Sequence, residues 1–382
     1  MLLASSSISD PRPDETAGAI PQTIRRDDSG DGGPMTQAIR ITLAGARDRH
    51  RWNQFVEANP NASIAHVFEW KSIIETAYRK SCYYLCSESD NGLCGVLPLV
   101  FMPGPLGGSR LVSMPYLDRG GPLSTSDEVT RKLTQTAFSI LDDRSGRSLE
   151  LRSESRSTRD AEGQTDRFRL ILTLPSTDEE AWNAVGPKVR NQIRKSEKAG
   201  LTTRRVSGEQ LGSFYEIHSK NMHQLGSPGH SLLFFKTILD QLESRVSPYL
   251  TFNRSEVAVA GGIALRFQNQ IVVPWASSRF EARRYCPNHS LYWQIIRDAI
   301  AQRASSFDFG RSSIGAGTFH FKKQWGADPV PLRWTFLGRS GAALPDANLN
   351  PRSHAWVARM WRKLPWALAR RLGPAIRGHL PN

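Results

Sequence analysis

The chain has 382 residues, enough for two medium domains that each bury a core. With 39% apolar and 23% charged residues it reads as globular, and a formal net charge of +14 points to a polyanionic partner: nucleic acid, a nucleotide-linked sugar or an anionic membrane surface. Four cysteines, at 82, 86, 94 and 286, show no CxxC pair and no histidines at zinc spacing, which sets aside a disulfide framework and a metal site. The longest clean apolar run, Val96 to Met102, is far too short to span a bilayer, and no basic region followed by an apolar core opens the chain, so a cytoplasmic protein is expected.

Residues 1–34 are rich in Ser, Asp, Gly and Pro and poor in large apolar side chains, a composition that does not offset the entropy of ordering. Met35 is an alternative start. Order is expected from the extended run at 40–45, followed by helices around 49–59 and 69–76. A hairpin comes next: the strand YYLCSE, the turn Asp90-Asn91-Gly92, and a second strand over 93–102.

That second strand contains Gly95-Val96-Leu97-Pro98-Leu99-Val100-Phe101, and the chain later writes Gly261-Gly262-Ile263-Ala264-Leu265-Arg266-Phe267. Aligned without gaps, the two agree in Gly, Leu and Phe. The agreement extends to order. Gly120-Gly121-Pro122 leads to a helix over 127–142 and a strand at 148–153, while Pro287-Asn288 leads to a helix over 289–304 and a strand at 306–312. Both series run hairpin, loop, helix, strand, which reads as two copies of one mixed α/β (α+β) domain. The expected divisions are an unstructured segment 1–34, a first domain 35–175, a second 176–337, and a basic helical tail 338–382 packed on the body.

In the second copy, Pro187 to Ala199 reads as a helix with Pro in its first turn and Gly200 as its stop. Arg190, Arg194 and Lys198 fall on one face at four-residue spacing, either as a solvated basic face or as an anion-facing ridge. Further helices are expected over 211–222 and 232–242. His218, His223 and His230 lie in this region; packing accounts for such residues, and one of them is available as a base near neutrality.

The stretch SSFDFGRSSIGAGTFHFKKQWGA, from Ser305 to Ala327, joins a strand to a glycine-rich turn and a paired-lysine aromatic segment. Glycines at 310, 315 and 317 permit a turn whose amides could hold an anion, with Arg311 as a fork and Lys322 and Lys323 as point charges. An ordinary strand exit with solvated lysines explains the same pattern. The tail from Asn350 carries seven basic residues and no acid, interleaved with Trp356, Trp361 and Trp366. It suits a membrane surface or, since Pro365 and Pro374 break it into short helices, a groove on its own protein.

VRNQIRKSEKAGL, NMHQLGSPGHSLLFF, FDFGRSSIGAGTFHFKKQWGA and the closing NLNPRSHAWVARMWRKLPWALARRLGP together resemble the FemAB family, in its branch associated with PEP-CTERM and exopolysaccharide systems. The likeness runs from about residue 40 to the C-terminus. It implies two tandem GNAT-like domains, mixed sheets flanked by helices, in a compact FemX-like layout without a tRNA-grasping arm. It implies acyl transfer to an amine, with an aminoacyl-tRNA or an acyl-CoA as co-substrate, no tightly bound cofactor, and a lipid- or nucleotide-linked glycan or peptide of the cell wall or exopolysaccharide as acceptor. Action at the inner membrane surface would follow.

An amine attacking an ester or thioester needs approach, proton removal and oxyanion stabilisation, and no serine or cysteine nucleophile is signposted. Candidates for proton handling are Asp118, which Arg119 could instead hold as an ion pair, and Asp308, whose side chain alternates with Phe307 and Phe309. Tyr116 and Tyr292 are candidate oxyanion donors or packing residues. For phosphates the candidates are Arg190, Arg194, Gly310, Arg311, Lys322, Lys323 and Asn288, the last also explained as the cap of a helix starting at His289. The coenzyme A signature R/Q-x-x-G-x-G/A is one residue too long at Arg311 to Gly317, and Phe319 to Lys323 does not begin like a capped helix. A non-catalytic GNAT-like body bound to nucleic acid or anionic membrane is the alternative to an enzyme.

Overall fold

The computed structural model describes residues 38–104, 108–154, 166–345 and 351–381, without the side chains of 351–354. The segment 1–34, expected to lack a fold, lies outside the described residues.

The first half runs β1 (Arg40–Leu43), α1 (Arg49–Ala58), α2 (Trp70–Tyr78), β2 (Cys82–Ser89), β3 (Gly92–Met102), β4 (Arg110–Ser113), β5 (Leu123–Ser124), α3 (Asp127–Asp143) and β6 (Ser148–Glu154). The second half runs β7 (Arg167–Thr173), α4 (Asp178–Ala184), α5 (Pro187–Lys198), β8 (Thr202–Arg205), α6 (Leu211–Leu225), α7 (Leu232–Leu242), β9 (Val246–Phe252), β10 (Ala258–Phe267), β11 (Gln270–Ser278), α8 (Pro287–Ala301), β12 (Ser306–Ser313), α9 (Gly317–Lys323) and β13 (Asp328–Gly338). The tail forms α10 (Pro351–Lys363) and α11 (Trp366–Arg377).

From β1 to β6 and from β8 to β12 the order is the same: strand, two helices, an antiparallel hairpin, a third strand, one helix, and a strand parallel to the third. The ungapped repeat read from the sequence is out of register by one residue. Leu99 faces α3 together with Leu97 and Phe101, whereas Leu265 faces α6 and α7 together with Ile263 and Phe267. Gly95 abuts Val129 of α3, but Gly261 abuts Phe214 of α6. Because strand side chains alternate, a slip of one residue exchanges the two faces, so the duplication holds for elements and not for those aligned columns.

The strands join in one sheet, ordered β1-β2-β3-β4-β6-β13-β7-β12-β11-β10-β9-β8, with β5 on β3. Two strands cross the middle. β7 precedes the expected division at 175 yet pairs with β12, and β13 pairs with β7 at its start and with β6 from Leu332 onward. The halves are therefore knitted by backbone hydrogen bonds and not only by packing. On one face of the sheet, α1, α2, α6 and α7 share a continuous core that runs from Trp52 and Trp70 to Phe234 and Trp275. On the other, α3 covers the first half, and α5 and α8 cover the second.

Local chemistry fixes the helix starts. Ser126 accepts from the Val129 amide at α3, which also carries Asp127 and Glu128 in its first turn, and Ser231 accepts from Phe234 at α7. At α8 the expected start at His289 is corrected. The helix begins at Pro287, behind Cys286 at φ 61°, because proline supplies the fixed φ of a first helical position; Asn288 therefore sits inside the first turn and is not the cap. Phe319 to Lys323 lies in a short helix, α9, whose start no side chain caps, as its sequence suggested.

Candidate active site between the two halves

Parallel strands β11 and β12 pair over only three residues, Gln270 to Val272 against Ser306 to Asp308. Beyond that point β12 keeps only its other neighbour β7, with a register shift between Asp308 and Arg311 that brings Arg311 opposite Arg169. Gly310 makes the turn: its φ of 75° is strained for any residue with a Cβ, and a Cβ there would lie 3.3 Å from the Val273 carbonyl. Strands that separate in this way open a gap at the middle of the sheet. The gap is a cavity of about 380 Å³, lined by the β4 exit from Tyr116 to Arg119, by Ser63 to Ala65, by His218, Asn221 and His230, by β11, by Asp308 and Arg311, and by Arg377 from the tail.

On one wall stands a buried charge network. Arg169, 3% exposed, reaches Oδ2 of Asp308 at 2.7 Å and 2.8 Å, Oε2 of Glu154 at 2.7 Å and Oε1 of Gln270 at 3.1 Å. The other Asp308 oxygen accepts from the Gly310 amide at 2.8 Å. Both oxygens are thus engaged, and the carboxylate acts as a strut that holds the strand turn. Arg119 joins the network through Glu154 at 2.5 Å. Asp118 is not paired with Arg119; it faces Arg311 at 3.5 Å, and Trp334 donates to its carbonyl at 3.1 Å. Arg311 lies 4.7 Å from the Trp334 ring centroid, and its buried Nη1 has no hydrogen-bond partner among the described residues.

The opposite wall is aromatic and imidazole. His218 directs Nδ1 to Ser277 Oγ at 3.3 Å, and Asn221 Nδ2 donates to the same oxygen at 3.2 Å. Nε2 of His218 is buried and unpartnered. Burial holds this imidazole down at about 3, with the Arg377 cation as a lesser cause, so it is neutral across the physiological range. His230 is pushed well below its ordinary value by burial, and Nδ1 touches Tyr78 Oη at 2.5 Å. Tyr116 adopts φ 72°, gives its hydroxyl to the Gly378 carbonyl at 3.3 Å, and packs edge-on against His230.

Of the residues picked from the sequence, Tyr116, Asp118, Asp308 and Arg311 line the cavity, with Gly310 forming the turn behind them. Lys322 stands behind that turn, donating to the carbonyls of Gly310 at 2.9 Å and Arg311 at 2.8 Å, and burial lowers it to about 8. The others lie elsewhere. Tyr292 is in the core under α8 with Phe307 and Phe309. Arg190 ties off the carbonyls of Trp182, Asn183 and Val185, Arg194 lies over the Trp182 ring, and Lys323 is exposed. Asn288 is in α8 with an unpartnered Oδ1. The expected anion loop is also corrected: the amides of Ile314 and Ala316 are bonded to Asp166 and Ser313, and Gly317 opens a helix of seven residues.

Residues 187–323 match the family model described as acetyltransferase (GNAT) domain. No curated protein was found that matches the chain. Among solved structures, FemX is similar at 14% identity and a TM-score of 0.60, covering 76% of this chain and 95% of its own. A conserved protein of unknown function from Bacteroides thetaiotaomicron is similar at 9% identity, TM-score 0.53, covering 81% and 100%. The C-terminal domain of a putative lysylphosphatidylglycerol synthetase from Agrobacterium fabrum is similar at 11% identity, TM-score 0.50, covering 82% and 96%. The fold is GNAT-like, in tandem.

With that fold in hand, the residues that sequence reasoning passed over stand out. Asn221, Ser277, Arg169 and Arg377 all contribute to the cavity or its walls, beside His218, one of the three histidines already noted as candidate bases. The three histidines clustered at 218–230 were a signal, but their partner Ser277 is far off in the chain. Arg377 looks like any other arginine of a basic tail until α11 is folded back.

Proposed function

We propose that the cavity transfers an acyl group to an amine. The observation that carries this reading is the neutral His218, whose Nε2 is buried without a partner among the described residues, in the lining of a gap between separated parallel strands, beside arginines able to stabilise negative charge. The amine nitrogen attacks the carbonyl carbon, forming the C–N bond. The C–O or C–S bond to the leaving group breaks, and the proton shed by nitrogen passes through His218 Nε2 to the departing oxygen or sulfur. Asp308, with both oxygens held, positions the wall and does not take the proton.

The finer reading, an aminoacyl-tRNA donor and a lipid- or nucleotide-linked cell-envelope or exopolysaccharide acceptor, rests on the FemAB resemblance and the charge of +14. An acyl-CoA donor gains from α9, which supplies the strand-turn-helix order that its signature needs. Of the described helices none is long and apolar enough to cross a membrane. On α11, Ala369, Gly373 and Arg377 face the body, while Leu368, Leu372 and Ile376 form an exposed stripe beside Arg371. Trp356 and Met360 continue exposed apolar surface on α10. That outer face suits contact with an anionic membrane, while Trp361 and Ala369 anchor the inner face, so the tail serves both roles considered from the sequence.

Incubation with charged tRNA or acyl-CoA and a panel of amine acceptors, read by mass spectrometry, tests the reading. A new amide dependent on His218 supports it. Retention of nucleic acid or lipid with no amide from any donor favours the non-catalytic alternative.

A further inference from the structure

The arginines lining the cavity, and Arg152 near it, are matched by carboxylates except for the one that the tail supplies. Arg152 pairs with Glu150, Arg119 and Arg169 share Glu154, Arg169 also holds Asp308, and Arg311 faces Asp118. Arg377 has no carboxylate within ion-pair distance among the described residues. Its Nε donates to His230 Nε2 at 3.3 Å and its guanidinium carbon lies 5.5 Å from the Tyr116 ring centroid. Its two terminal amino groups have no hydrogen-bond partner among the described residues, in a side chain that lines the cavity. Burial lowers this guanidinium to about 10, with Arg311 and Arg152 adding repulsion, so it is a cation at neutral pH.

The neighbours cannot neutralise it. His230, accepting from Arg377 at Nε2, carries its proton on Nδ1 toward Tyr78 and is neutral. The Tyr78 and Tyr116 hydroxyls are held protonated by burial. Arg377 is half-buried with its terminal nitrogens free of partners among the described residues, and guanidinium groups present planar donor pairs that match an oxyanion. Arg311, another cation on the cavity wall, has its own Nη1 without a hydrogen-bond partner among the described residues.

We propose that Arg377 of the tail and Arg311 of the strand turn form an oxyanion subsite in the cavity, taking a phosphate or carboxylate group of one of the two substrates. This deepens the transfer reading: the substrate whose reacting group meets His218 is anionic, and the tail helix is part of its recognition. The Pro381 carbonyl accepts from the Tyr116 amide at 2.9 Å and from Arg152 at 3.0 Å, which fixes the chain just after Arg377.

The test is direct binding to the full chain, independent of any acyl transfer. Inorganic pyrophosphate and succinate are titrated separately by calorimetry, with thermal melting in parallel, against the wild type, Arg377→Gln, Arg377→Lys, Arg311→Gln and Arg371→Gln. Saturable binding of at least one probe is expected in the wild type. Arg377→Gln and Arg311→Gln should each weaken it at least tenfold, Arg377→Lys by less, and Arg371→Gln not at all, Arg371 being exposed on the outer face of α11. Which probe binds separates a phosphate from a carboxylate ligand. A structural role for Arg377 predicts instead a variant that melts early yet binds as the wild type does, and that result would overturn the proposal. So would a wild type that binds neither probe. If amide formation is never detected while the subsite behaves as described, the transfer reading falls and the subsite stands.

Discussion

Arg169→Met isolates the network on which the cavity wall depends. Arg169 and Asp308 are each 3% exposed, and removal of the guanidinium leaves Asp308 with the Gly310 amide as its donor among the described residues, while Glu154 keeps Arg119. Breaking a buried pair by deleting one member costs about 3–5 kcal/mol, since the surviving charge stays buried. At roughly 2–4 °C per kcal/mol for a body of this size, the melting temperature should fall by about 6–20 °C. Arg297→Met is the control: its partner Asp178 is half-exposed like itself, and the loss should stay within about 1 kcal/mol. Adding Asp308→Asn to Arg169→Met removes the stranded charge and should recover part of the stability. Urea unfolding followed by circular dichroism measures all four proteins. If Arg169→Met costs no more than Arg297→Met, or if Asp308→Asn brings no recovery, the strut assigned to Asp308 is refuted.

His218→Gln should lower kcat by about a hundredfold or more, the ordinary contribution of a proton-transfer group, with the melting temperature little changed. Since the imidazole is held at about 3, the acid limb of the wild-type rate should follow ionisation of the amine substrate; a limb near 6.5 that vanishes in His218→Gln would contradict this. Lys322 is lowered from 10.5 to about 8, so between those values the unfolded state binds more protons and stability gained through this group rises with pH. Relative to Lys322→Met, the wild type should therefore gain up to about 3 kcal/mol between pH 8 and 10.5, and parallel stability curves would show the lysine to be unperturbed. The chain should co-sediment with phosphatidylglycerol vesicles at low salt and much less with phosphatidylcholine vesicles. Replacement of Leu368, Leu372 and Ile376 by serine should abolish this; equal binding by both vesicle types or by the triple variant would remove the membrane role.

By itself the sequence determined the elements, because their signals are local. Asn91-Gly92 makes a hairpin turn, Ser126 and Ser231 cap helices, Pro187 starts one, and each can be read within a few residues. The duplication was legible as an order of elements. Its register was not, since a β-bulge between Ile263 and Leu265 shifts the pairing and the side-chain period of two makes a one-residue slip invisible in apolar strands. Asp308 and Arg311 could be singled out because a glycine-rich turn follows their strand; Asp118 and Tyr116 stood at a matching loop. Only the tertiary structure decided what those residues do. Asp308 is a strut because Arg169 reaches it from the neighbouring strand β7, which comes from the other side of the expected division. Tyr292 and Arg190 left the site because their partners, distant in the chain or lying on carbonyls, were absent from any local pattern. Arg377 entered it because α11 folds back over α6, bringing a cation from the end of the chain to a cavity whose other walls were built more than sixty residues earlier.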